Sequence, residues 1–240
     1  LFSKVKGEKR VGESSVWYLY SKKAATEIKE FSPSAGIIIM LRNPVDMLYS
    51  QHSQFLYNGN EDIACFEEAL NAEEDRKRGF RVPSRVHFVE SLFYKETVKY
   101  TDQVRRYFDV FGRENVHIII YDDFKSNVAG AYRECLRFLG VTEDFWPEFK
   151  TINPNKRVRS NALRNFLQNP PRIVKSFGRL FVSGPLHQKL VKNLTLFNRK
   201  YESRPPMDAG LRSKLQAEFE PEVERLSGLL KRDLTHWCKT

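Results

Sequence analysis

Apolar residues follow two different periodicities along the chain, and the change from one to the other marks the predicted elements. Residues 36–41, Gly-Ile-Ile-Ile-Met-Leu, contain no polar side chain. Such a run predicts a strand buried on both faces, as in parallel α/β sheets. Pro44 then suits the first turn of a helix, and Val45, Leu48 and Tyr49 recur at helical spacing. The sequence therefore predicts a buried strand that is followed directly by a helix.

The same alternation of helix and buried strand continues on both sides of this unit. A second apolar run, residues 115–121, predicts another strand, which ends in Asp122 and Asp123. The helical patterns are assigned to residues 22–31 with Ser21 as cap, 90–111 ended by Gly112, 126–139 ended by Gly140, and 211–230. The order predicts an α/β fold with a parallel sheet flanked by helices and a largely helical last third.

Three local predictions complete this outline. A short strand is expected to end near Gly12, and Ala24, Ile28 and Phe31 are expected to share the packed face of their helix. The charged run at residues 73–78, Glu-Glu-Asp-Arg-Lys-Arg, is interpreted as a solvated helix face.

Arg42 stands where the first strand ends and the helix begins. Ligands of open α/β sheets bind at this carboxyl edge. A guanidinium beside the backbone N–H groups of a helix start is well suited to hold a phosphate. The alternative is an ordinary strand-to-helix turn in which Arg42 pairs with Asp46.

Composition restricts the classes of protein that need to be considered. With 41% hydrophobic residues in 240 residues, the chain is long and apolar enough for one good core. It contains no run of about 18 apolar residues, as a membrane-spanning helix would need. Its three cysteines form no C-x-x-C pair, and no two histidines have helical metal-binding spacing, so no disulfide framework or metal site is expected.

Positive charge is concentrated in one part of the chain. The net charge is +10, and residues 156–200 alone carry eleven Lys or Arg and no acid, so the rest sums to −1. This segment is also rich in Leu and Phe. A basic, amphipathic stretch suits an anionic ligand, an acidic substrate or peripheral contact with a membrane, and ordinary helix packing with a wet basic side is equally compatible.

Two motifs resemble the sulfotransferases that use 3′-phosphoadenosine 5′-phosphosulfate (PAPS). The frame R-N-P-x-D-x2-Y-S, with Arg42 and Ser50, is similar to their 3′-phosphate-binding element. The frame E-x-S-x-x-Y, with Glu13 and Tyr18, resembles an element of the heparan-sulfate-type and bacterial branches, whose acidic residue is taken as the base. A positioned base is needed because a hydroxyl is a poor nucleophile until it loses its proton. The alternative for Glu13 is a surface residue beside two turn-forming serines.

The resemblance extends to a basic stretch later in the chain and to its end. Residues 153–160 are similar to the bacterial form of the loop that closes over the 3′-phosphate of the nucleotide. This implies binding roles for Lys156, Arg157, Arg159 and Ser160, for which the alternative is a solvated basic face. The R-D-L-T-H-W ending also resembles bacterial members, where Trp237 would be a packing residue.

The resemblance covers residues 11–237 and implies a P-loop-like α/β fold, PAPS as donor with the nucleotide 3′,5′-bisphosphate (PAP) as product, and no required metal. The family's loop K-x-G-T-[ST], which binds the 5′-phosphosulfate, is absent from the printed sequence, as is a Walker A motif. We therefore expect residues 1–240 to be a single sulfotransferase-like domain without its first strand and loop, hence a fragment. In the absence of a visible targeting segment we expect a cytoplasmic location.

Two other functions share parts of this pattern. A P-loop small-molecule kinase has the same α/β plan, and a non-catalytic protein that binds polyanions or lipids would explain the basic segment. Our prediction is transfer of a sulfuryl group from PAPS to a hydroxyl or amine of a small-molecule, lipid or glycan acceptor. We expect no nucleic-acid partner, because no nucleic-acid-binding module is recognisable.

Overall fold

The computed structural model describes residues 5–86, 88–150, 155–168 and 184–239. The chain forms two compact units. Unit 1 comprises Leu1–Leu48, Tyr94–Lys150 and Asp208–Thr240, and unit 2 comprises Tyr49–Phe93 and Thr151–Met207. The boundary at Leu48 falls inside a helix, α2 (Pro44–Asn58), which therefore contributes residues to both units.

Unit 1 holds the parallel sheet and most of the longer helices. Its elements in chain order are α1 (Ala24–Phe31), β1 (Ile37–Leu41), the first turn of α2, α5 (Tyr94–Thr97), α6 (Tyr100–Phe111), β2 (Val116–Ile120), α7 (Tyr121–Ser126), α8 (Val128–Leu139) and α11 (Ala209–Leu230). Single 3₁₀ turns precede β2 at Arg113–Asn115 and follow α11 at Thr235–Cys238.

Unit 2 is built from short helices and a small antiparallel ribbon. Its elements are the rest of α2, α3 (Phe66–Asn71), α4 (Glu73–Lys77), a 3₁₀ turn (Val89–Leu92), β3 (Lys156–Val158), α9 (Asn161–Gln168), α10 (Gly184–Phe197) and β4 (Arg199–Tyr201). β3 and β4 pair antiparallel, with Arg157 opposite Lys200.

The sheet of unit 1 confirms the predicted parallel pairing. β1 and β2 run parallel in a register that extends from Ile37 opposite Val116 to Leu41 opposite Ile120. The expectation that β1 is buried on both faces is wrong. Ile39 and Leu41 are buried, whereas Ile38 and Met40 on the other face are 42% and 46% exposed, because the described elements shield only one side of β1.

Capping residues explain where the helices of unit 1 begin and end. The side chain of Asn43 accepts a hydrogen bond from the amide of Val45 at 3.0 Å, so that Pro44 is the first helical residue of α2, as predicted. Gly112 and Gly140, both with positive φ, end α6 and α8 as predicted.

Three other local predictions are wrong. Residues 5–20 contain no strand, and Phe31, at the last position of α1, is 78% exposed. The helix predicted over 90–111 is divided into a 3₁₀ turn, α5 and α6, because Phe93 and Lys99 have ψ values of 71° and 66°, outside the helical region.

A buried ion pair organises the first half of unit 2. Arg76 Nη2 donates to Glu61 Oε1 at 2.7 Å, and neither side chain is exposed to solvent. Glu73 is also buried, at 4% exposure. The interpretation of residues 73–78 as a uniformly solvated face is therefore wrong, since two of its six charged side chains face the interior of the unit.

None of the described helices is long and apolar enough to cross a membrane. The described residues also contain no group of three or more His, Cys, Asp or Glu side chains arranged to hold a metal ion.

Candidate functional site

Arg42 of unit 1 follows β1 directly and lies at the carboxyl edge of the parallel sheet. Its side chain is half-buried, and its guanidinium carbon lies 4.8 Å from the centroid of the Tyr121 ring. Tyr121 follows β2 directly, so the two parallel strands bring the cation and the ring to the same edge. The charge on Arg42 acts on buried Tyr100 as well, although burial is the larger effect and raises the pKa of that phenol.

The Arg42 guanidinium has no hydrogen bond or ion pair to any residue in the described part of the chain. The alternative pairing with Asp46 is not formed, because Asp46 Oδ1 accepts from Arg212 Nη2 at 2.8 Å. Arg212 belongs to α11, in the same unit. Arg212 thus neutralises Asp46, the acid nearest to Arg42 in sequence, so the charge of Arg42 remains available for a ligand.

The backbone at the start of α2 offers less to an anion than the sequence suggested. The amide of Val45 donates to the Asn43 side chain, and the amide of Met47 donates to the Asn43 carbonyl at 2.9 Å. Asn43 is itself fixed, because its side-chain amide donates to the carbonyl of Trp237 at 3.0 Å. At this edge the Arg42 side chain therefore offers an anion more than the helix N-terminus does.

Glu13 lies in an irregular segment of unit 1 and is exposed. Its carboxylate accepts a hydrogen bond from the hydroxyl of Tyr18, the last residue of the E-x-S-x-x-Y frame, and this bond raises the pKa of Tyr18. The neighbouring Trp17 and Tyr18 side chains do not shield Glu13 from solvent. The frame therefore holds the carboxylate in place through the tyrosine while leaving it open to solvent.

Helix α6 fixes the segment that carries this frame. Tyr107 donates from its hydroxyl to the carbonyl of Tyr18 at 2.8 Å, and Arg106 donates to the carbonyl of Ser21 at 2.8 Å. Burial raises the pKa of Tyr107 to about 12, so this donor stays protonated at neutral pH. In the described part of unit 1, no hydrogen bond or ion pair joins Glu13 to Arg42.

Ser50 lies on α2 in unit 2, where an arginine that the sequence analysis did not assign reaches it. Arg204 Nη2 donates to Ser50 Oγ at 3.2 Å and lies 3.4 Å from Asn155 Oδ1. The Arg204 guanidinium also lies 5.1 Å from the centroid of the Tyr49 ring, on the residue before Ser50. The Tyr49 hydroxyl in turn donates to the carbonyl of Pro205 at 3.0 Å.

Asn155 connects this cluster to the basic stretch. Its Oδ1 also accepts from the hydroxyl of Ser53 at 3.2 Å, and its Nδ2 donates to the carbonyl of Glu202 at 2.7 Å. Unit 2 thus brings Ser50 and Arg204 next to Asn155, which directly precedes the basic stretch that begins at Lys156. The Ser50–Arg204 hydrogen bond joins residues about 150 positions apart. The Arg-Pro-Pro sequence at 204–206 indicates only that regular secondary structure is interrupted there.

The other predicted binding residues lie on or just after β3. Lys156 and Arg157 belong to the strand, and the exposed Arg159 has its guanidinium carbon 5.7 Å from the centroid of the Phe197 ring. Ser160 has a structural task, since its hydroxyl accepts from the amide of Leu163 at 3.2 Å and caps α9. Of the stretch predicted to bind the nucleotide, residues 153 and 154 lie outside the described residues.

A cavity of about 240 Å³ opens beside β2 in unit 1. It is lined by Phe108, Ile118 and Ile120 together with Arg113 and Arg232, among others. None of the predicted site residues lines it, so the cavity does not bear on the assignments above.

Two comparisons with known proteins agree with the resemblance of the motifs. A family model described as a sulfotransferase domain matches residues 23–177. Among solved structures, the sulfotransferase from Alicyclobacillus acidocaldarius is 30% identical, with a TM-score of 0.68, and the match covers 98% of this chain and 70% of that one. No match was found among curated proteins. The chain therefore belongs to the sulfotransferase domain family, and its mixed α/β fold with a small parallel sheet is that of its structural relative. Family membership supports a transferase enzyme that acts as a sulfotransferase.

Proposed function

We propose that this enzyme moves a sulfuryl group from PAPS to a hydroxyl or amine of its acceptor. The observation that carries the proposal is the half-buried Arg42 guanidinium at the carboxyl edge of the sheet, which lacks an acidic partner among the described residues. A guanidinium that is not paired with a carboxylate can donate its hydrogen bonds to a phosphate instead. Membership of the family, whose members generally use PAPS, supports the same donor.

The binding roles follow the chemistry of each side chain. The Arg42 guanidinium would donate paired hydrogen bonds to the 3′-phosphate of the nucleotide, and the Ser50 hydroxyl would add a neutral donor. Arg204 already donates to Ser50 Oγ, so a phosphate bound at Ser50 would also meet the Arg204 guanidinium. Lys156, Arg157 and Arg159 would add positive charge around the 3′-phosphate. The Ser160 hydroxyl accepts a hydrogen bond in the cap of α9, so its proton would remain available for donation to the phosphate.

The chemical step needs a base and charge stabilisation. PAPS supplies the activated sulfuryl group. Glu13, exposed and held by Tyr18, would accept the proton of the acceptor hydroxyl or amine. As the new sulfur–acceptor bond forms and the sulfur–oxygen bond to the 5′-phosphate breaks, PAP leaves, and basic side chains near that 5′-phosphate would stabilise the negative charge that develops there. The acceptor would be a small molecule, a lipid or a glycan.

The proposal is tested by calorimetric titration of the intact protein with PAP. The Arg42→Ala variant should lose at least about 1.5 kcal/mol of binding free energy, or more than tenfold in affinity, because a charge-assisted hydrogen bond is removed. Arg113→Ala is the matched control, since Arg113 also stacks on an aromatic ring, at 4.3 Å from Phe108, but precedes β2 at the opposite edge of the sheet.

The alternatives make different predictions in the same titration. A kinase would prefer ATP with Mg²⁺ over PAP, and a non-catalytic polyanion binder would bind heparin and PAP without selectivity and with strong salt dependence. Equal PAP affinity of the parent protein and Arg42→Ala would remove the observation on which the proposal rests.

A further inference from the structure

Helix α10 of unit 2 exposes large apolar side chains to solvent, where a surface helix normally carries polar ones. Among its side chains described from residue 189 onward, Val191 and Leu194 are partly shielded, and Asn198, just after the helix, is buried. Leu190, Leu196 and Phe197 are 52%, 47% and 70% exposed. An apolar stripe normally faces the core, so three large exposed residues within eight positions indicate a contact with something apolar.

Positive charge accompanies these apolar side chains. Lys189 and Lys192 of α10 are exposed on the side opposite Val191 and Leu194, and Arg159 lies 5.7 Å from the Phe197 ring. The sequence from 156 to 200 contains no acid. Lysines combined with Leu and Phe on the exposed side of a helix are typical of helices that lie in a membrane interface.

The antiparallel ribbon of β3 and β4 concentrates charge of the same sign. Arg157 and Lys200 are exposed, directly opposite each other on β3 and β4, an arrangement that destabilises an antiparallel pair by like-charge repulsion. Lys200 Nζ pairs with Glu202 at 3.4 Å, whereas Arg157 has no ion pair with a described residue. An anionic surface would relieve the repulsion that one exposed carboxylate offsets only in part.

We propose that unit 2 docks on an anionic phospholipid surface through α10. Lys189 and Lys192 would meet the lipid phosphates, while Leu190, Leu196 and Phe197 enter the head-group layer. A membrane surface is favoured over a soluble polyanion because a polyanion such as heparin offers no apolar layer for these three side chains. This docking does not depend on which donor or acceptor the enzyme uses.

The test is flotation of the intact protein with vesicles of phosphatidylcholine, with and without phosphatidylglycerol. The parent protein should bind only the anionic vesicles. Lys189→Gln/Lys192→Gln should weaken that binding by roughly tenfold or more, since each basic residue near an anionic leaflet contributes appreciably. Phe197→Ser should weaken it by about tenfold through lost insertion. Circular dichroism confirms that each variant is folded.

Matched controls come from unit 1. Lys22→Gln/Lys23→Gln removes two exposed lysines of another helix start, and Phe31→Ser removes a phenylalanine that is 78% exposed. Both control variants should bind anionic vesicles like the parent protein.

Heparin binding separates the two kinds of anionic partner. The lysine variant should weaken heparin binding, whereas Phe197→Ser should leave it unchanged. Docking on lipid is contradicted if anionic vesicles do not bind, or if Phe197→Ser floats like the parent protein, which would indicate a site for a soluble polyanion. It is equally contradicted if Lys22→Gln/Lys23→Gln loses as much binding as the α10 variant.

Discussion

Replacing Glu61 by Gln should destabilise unit 2 by about 3–5 kcal/mol, because the change removes the carboxylate that pairs with the fully buried Arg76 guanidinium. Three hydrogen bonds of Arg76 in the parent protein are unequal in length. The bond to Glu61 is 2.7 Å long, whereas those to the carbonyls of Arg81 and Ala69 measure 3.3 and 3.4 Å. These two carbonyls lie farther from the guanidinium than the carboxylate does, and they carry no charge.

The choice of Gln confines the perturbation to the charge. Glu61 Oε1 also accepts from the amides of Asp62 and Ile63, each at 2.9 Å, and the Gln amide oxygen can keep both bonds. The expected loss is a large share of the 5–15 kcal/mol that stabilises a typical domain. The effect should reach α2, because the carbonyl of Ile63 accepts from His52 Nε2 at 2.9 Å.

A double variant and an exposed pair supply the controls. Glu61→Gln/Arg76→Met removes both charges, so it should cost less than the single change, about 1–2 kcal/mol. Arg78→Gln breaks the nearby pair with Asp75, whose side chains are 67% and 36% exposed, and should cost no more than about 1 kcal/mol.

The assay is urea unfolding followed by circular dichroism, with hydrogen exchange to locate the change. The three tryptophans lie at 17, 146 and 237, all in unit 1, so their fluorescence would not report on unit 2 directly. The amides of residues 61–63 should lose protection in Glu61→Gln. A cost no larger than that of Arg78→Gln, or a double variant as unstable as the single one, would refute the reasoning.

Three further predictions concern the proposed chemistry and the pH dependence. Glu13→Gln should keep its affinity for PAP but turn over about a hundredfold more slowly or worse, measured as PAP released from PAPS with a panel of phenols, sugars and amines as acceptors. Unchanged turnover would reject Glu13 as the base, and Glu8→Gln is the exposed control. Arg204→Ala should weaken PAP binding by about tenfold in calorimetry, with Arg199→Ala as control, and equal losses would deny Arg204 a specific role. Burial lowers the pKa of His52 from its ordinary 6.5, so the imidazole binds a proton more readily in the unfolded chain than in the folded one. The unfolding free energy should therefore fall as the pH drops below about 6.5, and His52→Asn should flatten that pH dependence in urea titrations at several pH values.

The elements that could be predicted from the sequence are those fixed by local signals. The runs at 36–41 and 115–121 have no good alternative to strands, although burial on both faces of the first does not follow from them. Pro44, Gly112 and Gly140 mark helix boundaries through their own backbone preferences. The position of Arg42 at the carboxyl edge follows from the strand and the helix start alone. These features need no knowledge of distant contacts.

The failed predictions depend on contacts between distant residues. Composition alone cannot show that Arg76 pairs with Glu61, fifteen residues earlier, so a charged run looked solvated. Ile38 and Met40 resemble Ile39 and Leu41 in sequence, and their exposure depends on which elements cover each face. Likewise β3 finds its partner β4 about forty residues later, and Arg204 reaches Ser50 only in the folded unit.

The most direct test of the central claim compares PAP with adenosine 5′-phosphate, which lacks the 3′-phosphate, on the parent protein and on Arg42→Ala. If Arg42 binds the 3′-phosphate, the parent protein should prefer PAP by at least about tenfold, and the variant should lose most of that preference while binding adenosine 5′-phosphate unchanged. An equal loss of affinity for both nucleotides, or an undiminished preference in the variant, would contradict the account.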